Sequence, residues 1–398
     1  MAGKSLFSKR TGWDLSASDL SIAVAKARSS RNDLLDLTVS NPTVCGFEYD
    51  AEAVLGPLSD RELMQRALVY DPDPRGMRSA REAVAHYYAE RGAAVDPDAL
   101  IMTTSTSEAY SYLFRLLCDA GDEVLVAQPS YPLFDFLADL DDVKLRPYPL
   151  FYDFGWWIDF AELERRIGPK TRAILIVHPN NPTGHWTHQA ERDRLEALCT
   201  RHGLALIVDE VFLDYPLVDE TAASFAAGPH PALTFVLSGI SKIAALPQMK
   251  IAWLAVCGPP DLVSDALGRI EVIADTFLSM NAPAQLALPR WLAARGDLQR
   301  QISERTKANL QRLEQSGLEL LRVEAGWSAV LRLRGAAAED LLEVGVIVHP
   351  GMFYGMADER FIVLSLLPPV AIFAAGIERI CTASGARNLG SKLLGCSL

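Results

Sequence analysis

Between residues 99 and 257 the chain repeats a pattern that few folds accommodate: short apolar runs separated by longer amphipathic stretches. The runs are IMTT (101–104), EVLVAQ (123–128), VKLRPY (143–148), RAILIV (172–177), LALIVD (204–209), LTFVLS (233–238) and KIAWLAV (250–256). Runs such as AILIV and ALIVD lack the alternation of a strand with one wet face. They suit central strands of a largely parallel sheet covered by helices on both sides. Helical patterns lie between them, in EAYSYLFRLLCDAG (108–121) and QAERDRLEALCTRHG (189–203), the second closing on a His-Gly C-cap signal. The expected class is α/β: a large, doubly wound, mostly parallel seven-stranded sheet domain over residues 46–275. Helices over 281–316 then lead into a smaller C-terminal α/β domain (276–398) built on AVLRLRG, VGVIVHP and RFIVLSL, with a last helix near 369–383. Residues 1–45 are expected to join the small domain. Residues 60–92 read as helical, broken at YDPDPRG (70–76) by its prolines and glycine. The final GARNLGSKLLGCSL reads as a loosely held tail.

Charge and cysteine content narrow the function classes. Lysine and arginine total 38 against 50 aspartates and glutamates, a formal charge of −12, and no basic run interrupts the chain. Such a chain has no electrostatic reason to seek nucleic acid or an anionic membrane. The six cysteines (Cys45, Cys118, Cys199, Cys257, Cys381, Cys396) include no C-x-x-C pair. Cys118, Cys199 and Cys257 sit among apolar neighbours and read as small core residues. The N-terminal MAGKSLFSKRTGWDL lacks the apolar run of a signal peptide. A cytoplasmic protein with reduced thiols is expected.

Open parallel sheets bind ligands beyond the carboxyl ends of their strands. HPNNPTG (178–184) follows RAILIV and presents Asn180 and Asn181 in a loop fixed by two prolines and a glycine. Asp209-Glu210 ends the LALIV run, and SGISKIAALPQMK (238–250) follows the next. Asn181, Asp209 and Lys242 thus stand at the same end of successive strands, 28 and 33 residues apart, each about one strand–helix–strand unit. An amide, a carboxylate and an amine converging on one crevice suit pyridoxal 5′-phosphate (PLP). The lysine forms the Schiff base, the carboxylate keeps the pyridine nitrogen protonated, and the amide donates to the phenolic oxygen. Ser105-x-x-Glu108 reads as a capping box opening a helix after IMTT, whose free N–H groups offer a phosphate cup. Tyr131, in QPSYPLF (128–134), is an aromatic at a strand end that can stack on the ring.

The chain resembles class I/II aminotransferases, fold-type I PLP enzymes, in motifs spread over most of its length. These are YDPDPRGMRSAREAV (70–84), TTSTSEAY (103–110), GDEVLVAQPSYPLF (121–134), HPNNPTG, VDEVFLDY (208–215), SGISKIAALPQMKIAW (238–253) and VHPGMFYG (348–355). The resemblance implies Lys242 as the Schiff-base lysine, Asp209 on the pyridine nitrogen, Asn181 on the phenolic oxygen and Tyr131 on the ring. It implies phosphate contacts from Thr106, Ser107 and Lys250, with Ser241 beside the lysine also at the cofactor. Tyr70 matches a tyrosine that reaches the phosphate of the neighbouring subunit, which implies a homodimer. The implied reaction is amino transfer between an amino acid, or related amine, and a 2-oxo acid. Lysine at 250, where most relatives carry arginine, gives a point charge rather than a fork.

Two positions depart from the family. Phe212 stands where relatives usually have a tyrosine that donates to the phenolic oxygen, with Tyr215 a candidate to compensate. Val363, in FIVLSL (361–366), stands where relatives carry the arginine that grips the substrate's α-carboxylate. Arg360, Arg332 and Arg75 are candidate replacements. These departures keep open a PLP-dependent lyase, decarboxylase or oxidase on the same fold. A non-catalytic ligand-binding module would have no need of Lys242, Asp209 and Asn181 together. A nucleotide-binding enzyme lacks support, since neither G-x-G-x-x-G after the first strand nor G-x-x-x-x-G-K-[ST] is present.

Overall fold

The computed structural model of the chain describes residues 6–278, 280–334 and 336–385. The expected C-terminal tail beyond residue 385, with Cys396, lies outside the described residues.

The apolar runs form one sheet of β1 (Leu100–Thr103), β2 (Glu123–Gln128), β3 (Lys144–Tyr152), β4 (Trp156–Ile158), β5 (Thr171–Val177), β6 (Ala205–Asp209), β7 (Thr234–Gly239) and β8 (Ala252–Cys257). Their spatial order is β1-β8-β7-β6-β5-β2-β3-β4. Neighbours from β7 through β6, β5 and β2 to β3 are parallel. β8 runs antiparallel between β7 and β1. The unbroken hydrophobicity of the central runs has its cause here. In β6, Leu206 and Val208 enter the core on one face, while Ala205 and Ile207 enter the core on the other. The three-residue β4 is an addition to the expected seven; it folds back antiparallel on the end of β3 and is too short to leave a periodic signal.

Helix α1 (Thr106–Leu117) follows β1, and α2 (Gln189–His202) precedes β6. Gly203, in the left-handed region at φ 64° and ψ 38°, closes α2 where the His-Gly signal predicts. The helical stretch expected at 60–92 resolves into Arg61–Ala67 and Arg78–Ala89, with no helix across 70–76, and an unexpected helix, Ala51–Ser59, precedes it. Ala282–Ala294 and Gly296–Glu314 fill the expected helical segment at 281–316. The helix Asp19–Ser30 is among those not legible in the sequence. It buries none of its residues, so no apolar stripe marks it.

The second sheet contains β9 (Glu319–Leu320), β10 (Ser328–Arg332), β11 (His349–Pro350) and β12 (Phe361–Ser365), all antiparallel, in the order β9-β10-β12-β11. The chain's beginning joins this part: Leu35–Asp36 pairs in parallel with Val346–Ile347. The Leu37 carbonyl also accepts the Ser365 N–H at 2.8 Å. The helix Val370–Ala383 follows. Cys45, Cys199 and Cys381 are buried, Cys118 and Cys257 partly so, and all five are free thiols. Among the described residues no helix is long and apolar enough to cross a membrane.

Candidate active site

The carboxyl ends of β5, β6 and β7 supply Val177, Asp209 and Gly239 to the wall of one cavity of about 300 Å³. The small sheet and the N-terminal segment close it from the opposite side, through Ser328, Val363 and Ser365, and through Thr38 and Ser40. Eight of the ten candidate site residues line it: Thr106, Ser107, Tyr131 and Asn181 on one part of the wall, and Asp209, Phe212, Ser241 and Lys242 on the rest.

Asp209 is buried. One carboxylate oxygen accepts the Tyr110 hydroxyl at 2.8 Å, the other the Val211 N–H at 3.0 Å. Burial pushes its carboxyl up to about 6, with those two hydrogen bonds and the charge of Lys242 acting in the opposite direction. Lys242 sits in the one-turn helix Ile240–Ile243 that follows β7. Loss of solvent pulls its amine below the ordinary lysine value, while Asp209 pulls it up. Its Nζ lies 5.1 Å from the centre of the Trp327 ring and 5.6 Å from that of Phe212. A lysine in this setting yields its proton more readily than one in water, as a nucleophilic amine requires.

At the start of α1 the Ser105 hydroxyl accepts the Glu108 N–H at 3.2 Å. The expected reciprocal half of the box is displaced by one residue: Glu108 accepts the N–H of Thr104, at 2.7 Å, rather than that of Ser105. The first N–H groups of α1, beside the hydroxyls of Thr106 and Ser107 on the cavity wall, form a cradle for an anion. The loop carrying Asn181 is anchored by its neighbour. The Asn180 carboxamide oxygen accepts from both the Thr183 hydroxyl, at 2.8 Å, and the Thr183 N–H, at 3.3 Å. Gly184 closes the loop at φ +70°; a Cβ there would lie 2.2 Å from Val323 Cγ2 and 2.6 Å from the Ala325 carbonyl oxygen. Only glycine permits this approach between the loop and segment 323–325.

The structure does not bring two candidates into the cavity. Lys250 is exposed, with φ 52°, two residues before the lining residue Ala252, and its side chain makes no hydrogen bond or ion pair among the described residues. Tyr70 is 81% exposed, next to the exposed Leu68 and Val69.

The three proposed arginine replacements are corrected. Arg360 is held by Asp358, Arg332 by Glu319 and Arg75 by Glu271, and none of them lines the cavity. Each is paired because its own strand or turn supplies a nearby carboxylate or a neighbouring helix does. Tyr215 does not compensate for Phe212. Its hydroxyl donates to the Lys242 backbone carbonyl at 2.5 Å, and its ring packs edge-on to Trp327. Val363 is buried and lines the wall. Sequence reasoning missed Tyr110, Trp327, His349 and Tyr354 as contributors to this site. His349 and Tyr354 lie in the VHPGMFYG motif and Tyr110 in TTSTSEAY, so their positions were signalled but not their roles; Trp327 carries no motif at all.

A buried carboxylate facing a desolvated amine, with an amide and an anion cradle on the same wall, defines a PLP-type site on a fold-type I scaffold. A sequence model of the family "Aminotransferase class I and II" matches residues 32–385. The chain belongs to this family, whose cofactor is pyridoxal 5′-phosphate. It is 28% identical over 258 residues to the glutamate-pyruvate aminotransferase AlaA of Escherichia coli (strain K12), a match covering 65% of this chain and 63% of that protein. It is 29% identical over 336 residues to an aspartate/prephenate aminotransferase of Thermus thermophilus, covering 80% and 83%. Among solved structures, an alanine aminotransferase from Pyrococcus furiosus shares the fold with a TM-score of 0.85 at 21% identity, covering 96% of this chain and all of that one. The lining residues fit the cofactor: Asp209 is an acceptor otherwise left charged in a dry wall, and the cradle at α1 matches a phosphate in charge.

Proposed function

We propose that the chain is a PLP-dependent aminotransferase that moves an amino group between an amino acid, or related amine, and a 2-oxo acid. The observation that carries this reading is the meeting of Lys242, Asp209, Asn181 and the start of α1 in one cavity. Bound there, the cofactor supplies an electron sink for the bond broken at the substrate's amino-bearing carbon. Asp209 holds a proton at the pyridine nitrogen, and Asn181 donates to the phenolic oxygen. Thr106, Ser107, Ser241 and the first N–H groups of α1 would hold the phosphate; Lys250, outside the cavity wall, would contribute only its charge from the adjoining segment. Tyr131 covers the ring. Lys242 would be the point of covalent attachment and, as a free amine, the base that would move the proton at the substrate's amino-bearing carbon.

A homodimer is part of the proposal. The bare run Leu68, Val69 and Tyr70 supports a partner surface, with Tyr70 reaching the neighbouring subunit's phosphate. A cytoplasmic setting is supported by five free thiols. One observation favours a second reading, a PLP-dependent lyase, decarboxylase or oxidase: among the described residues no arginine lines the cavity. The test is a half-reaction. The PLP-loaded protein is mixed with a panel of amino donors, with and without a carboxylate on the amino-bearing carbon. Formation of pyridoxamine phosphate is then measured. Transamination predicts it with at least one donor; substrate turnover without it for every donor establishes the second reading.

A further inference from the structure

Behind the cavity wall, directly after Gly184, lies a group of side chains that the proposed reaction does not use. His185 is 3% exposed, and neither ring nitrogen makes a hydrogen bond of acceptable geometry. A buried imidazole with both nitrogens unsatisfied is costly unless something completes it. Its Nδ1 faces Glu324 Oε2 at 3.4 Å, and its Nε2 faces Glu191 Oε2 at 3.0 Å. His188, the N-cap residue of α2, points Nε2 at Glu324 Oε1, again at 3.4 Å.

The environment of Glu324 is more unusual still. This carboxylate is 6% exposed, yet its side-chain partners all stand off. Besides the two imidazoles, the Trp186 N–H and Arg322 Nη2 are each 3.4 Å away. Charge-assisted contacts normally close to about 2.7–2.9 Å. Two imidazole nitrogens, each 3.4 Å from a different oxygen of the same carboxylate, leave room between them for an ion that binds nitrogen and carboxylate oxygen at about 2.0–2.2 Å. The ligand atoms of His185, His188 and Glu324 all lie within 4.8 Å of one another. Glu191 has the place of the outer carboxylate that orients a metal-bound histidine by accepting its other N–H. It is itself fixed by the N–H groups of Ile158, at 2.8 Å, and His188, at 3.0 Å.

We propose that His185, His188 and Glu324 bind a divalent transition-metal ion of the zinc class, with water as fourth ligand. The donor set of two imidazoles and a carboxylate, without thiolate, suits zinc. The ion's two positive charges balance Glu324 and Glu191, both buried. The site joins two pieces of the cavity wall: His185 continues the loop that presents Asn181, and Glu324 lies three residues before Trp327, the ring beside Lys242. It is structural, a clamp between loop and segment 323–328, and takes no part in proton transfer. Binding has one visible consequence. His188 Nδ1 now accepts the Trp186 indole N–H at 3.2 Å. Coordination through Nε2 moves the ring proton to Nδ1, so the indole loses that acceptor. Trp157, whose ring lies 5.2 Å from that of His188, reports the same event.

The experiment uses untagged, PLP-loaded protein stripped with a chelator and then titrated with zinc. Wild type should bind about one zinc per chain with a change in tryptophan emission. Its thermal midpoint should rise by several degrees, since an ion that binds only the folded state stabilises it. His188→Ala, at the solvent edge of the group, should fold and carry PLP yet lose the tryptophan response and most of the thermal shift. Glu324→Gln should lose both. The proposal is overturned if wild type takes up no zinc, or if His188→Ala responds to zinc as wild type does. It is equally overturned if zinc leaves wild type unchanged while Glu324→Gln is destabilised; that result assigns the group to a protonated His185 bridging two carboxylates.

Discussion

Phe212→Tyr adds one hydroxyl to a ring that already lines the cavity beside Lys242. In the wild type no tyrosine takes the role of donor to the cofactor's phenolic oxygen from this direction, because Tyr215 is committed to the Lys242 carbonyl. That oxygen is negatively charged when the nitrogen joining Lys242 to the cofactor has lost its proton. A donor placed on it favours the deprotonated form and lowers the pKa of that nitrogen. A hydrogen bond to a charged group contributes about 1.5–3 kcal/mol, and one pH unit corresponds to about 1.36 kcal/mol. The expected displacement is therefore about one to two pH units downward. The assay is a spectrophotometric pH titration of PLP-loaded wild type, Phe212→Tyr and Tyr215→Phe. The first variant should titrate lower than wild type and the second close to it. An unchanged midpoint in Phe212→Tyr, in a variant that still carries PLP, would refute the placement of Phe212 against the phenolic oxygen. A shift in Tyr215→Phe of the same size as the one sought would refute the assignment of Tyr215 to the backbone carbonyl.

Three further outcomes follow from the site. Asp209 has an ordinary pKa of 3.8 that burial raises to about 6 in the folded chain without cofactor, so its charge destabilises that state fully above pH 6 and not at all below pH 3.8. Asp209→Asn should then match wild type in cofactor-free stability near pH 3.5 and exceed it by about 3 kcal/mol above pH 6, while losing activity; urea unfolding of the two cofactor-free proteins across this range checks both sign and window. Gly184→Ala places a methyl against Val323 and the Ala325 carbonyl at a positive φ, and should cost at least about 2 kcal/mol in urea unfolding and weaken PLP retention; a loss below 0.5 kcal/mol, about the noise of a surface change, would contradict the close approach. Lys242→Ala should abolish the visible absorbance of attached PLP while leaving the fold's circular dichroism intact, and retention of that band would move the attachment elsewhere.

The large sheet was legible because its signal is redundant. Each central strand is buried on both faces, so burial and β-propensity agree residue by residue in runs such as ALIVD. The meeting of Asn181, Asp209 and Lys242 in one cavity was legible for a related reason: a parallel sheet fixes which end of each strand is the ligand end, and order along the chain becomes order in space. Where these conditions failed, so did the reading. β4 is too short to show a period, and Asp19–Ser30 buries nothing. The guess that Arg360, Arg332 or Arg75 replaces the missing arginine failed because partner choice is a matter of three-dimensional proximity. All three sit beside carboxylates that satisfy them.

The division between what could and could not be read coincides with a division of labour in the wall. The cofactor groups come from the large sheet's strand ends and α1, where sequence position determines placement. The opposite wall comes from the small sheet and the N-terminal segment, through Thr38, Ser40, Ser328, His349, Val363 and Ser365. Those residues are brought in by pairings between distant stretches, such as Leu35 with Val346 and Val330 with Val363. Valine in place of arginine on β12 puts an uncharged side chain at this point of the wall. It changes the charge that a substrate meets. Burial also pulls the His349 imidazole below its ordinary pKa, with Asp36 acting to raise it, so that wall presents hydroxyls, a ring biased toward its neutral form and a valine. In the proposed reading, the chemistry is set by residues that the parallel sheet holds in order, and the choice of substrate by residues that only the folded chain assembles.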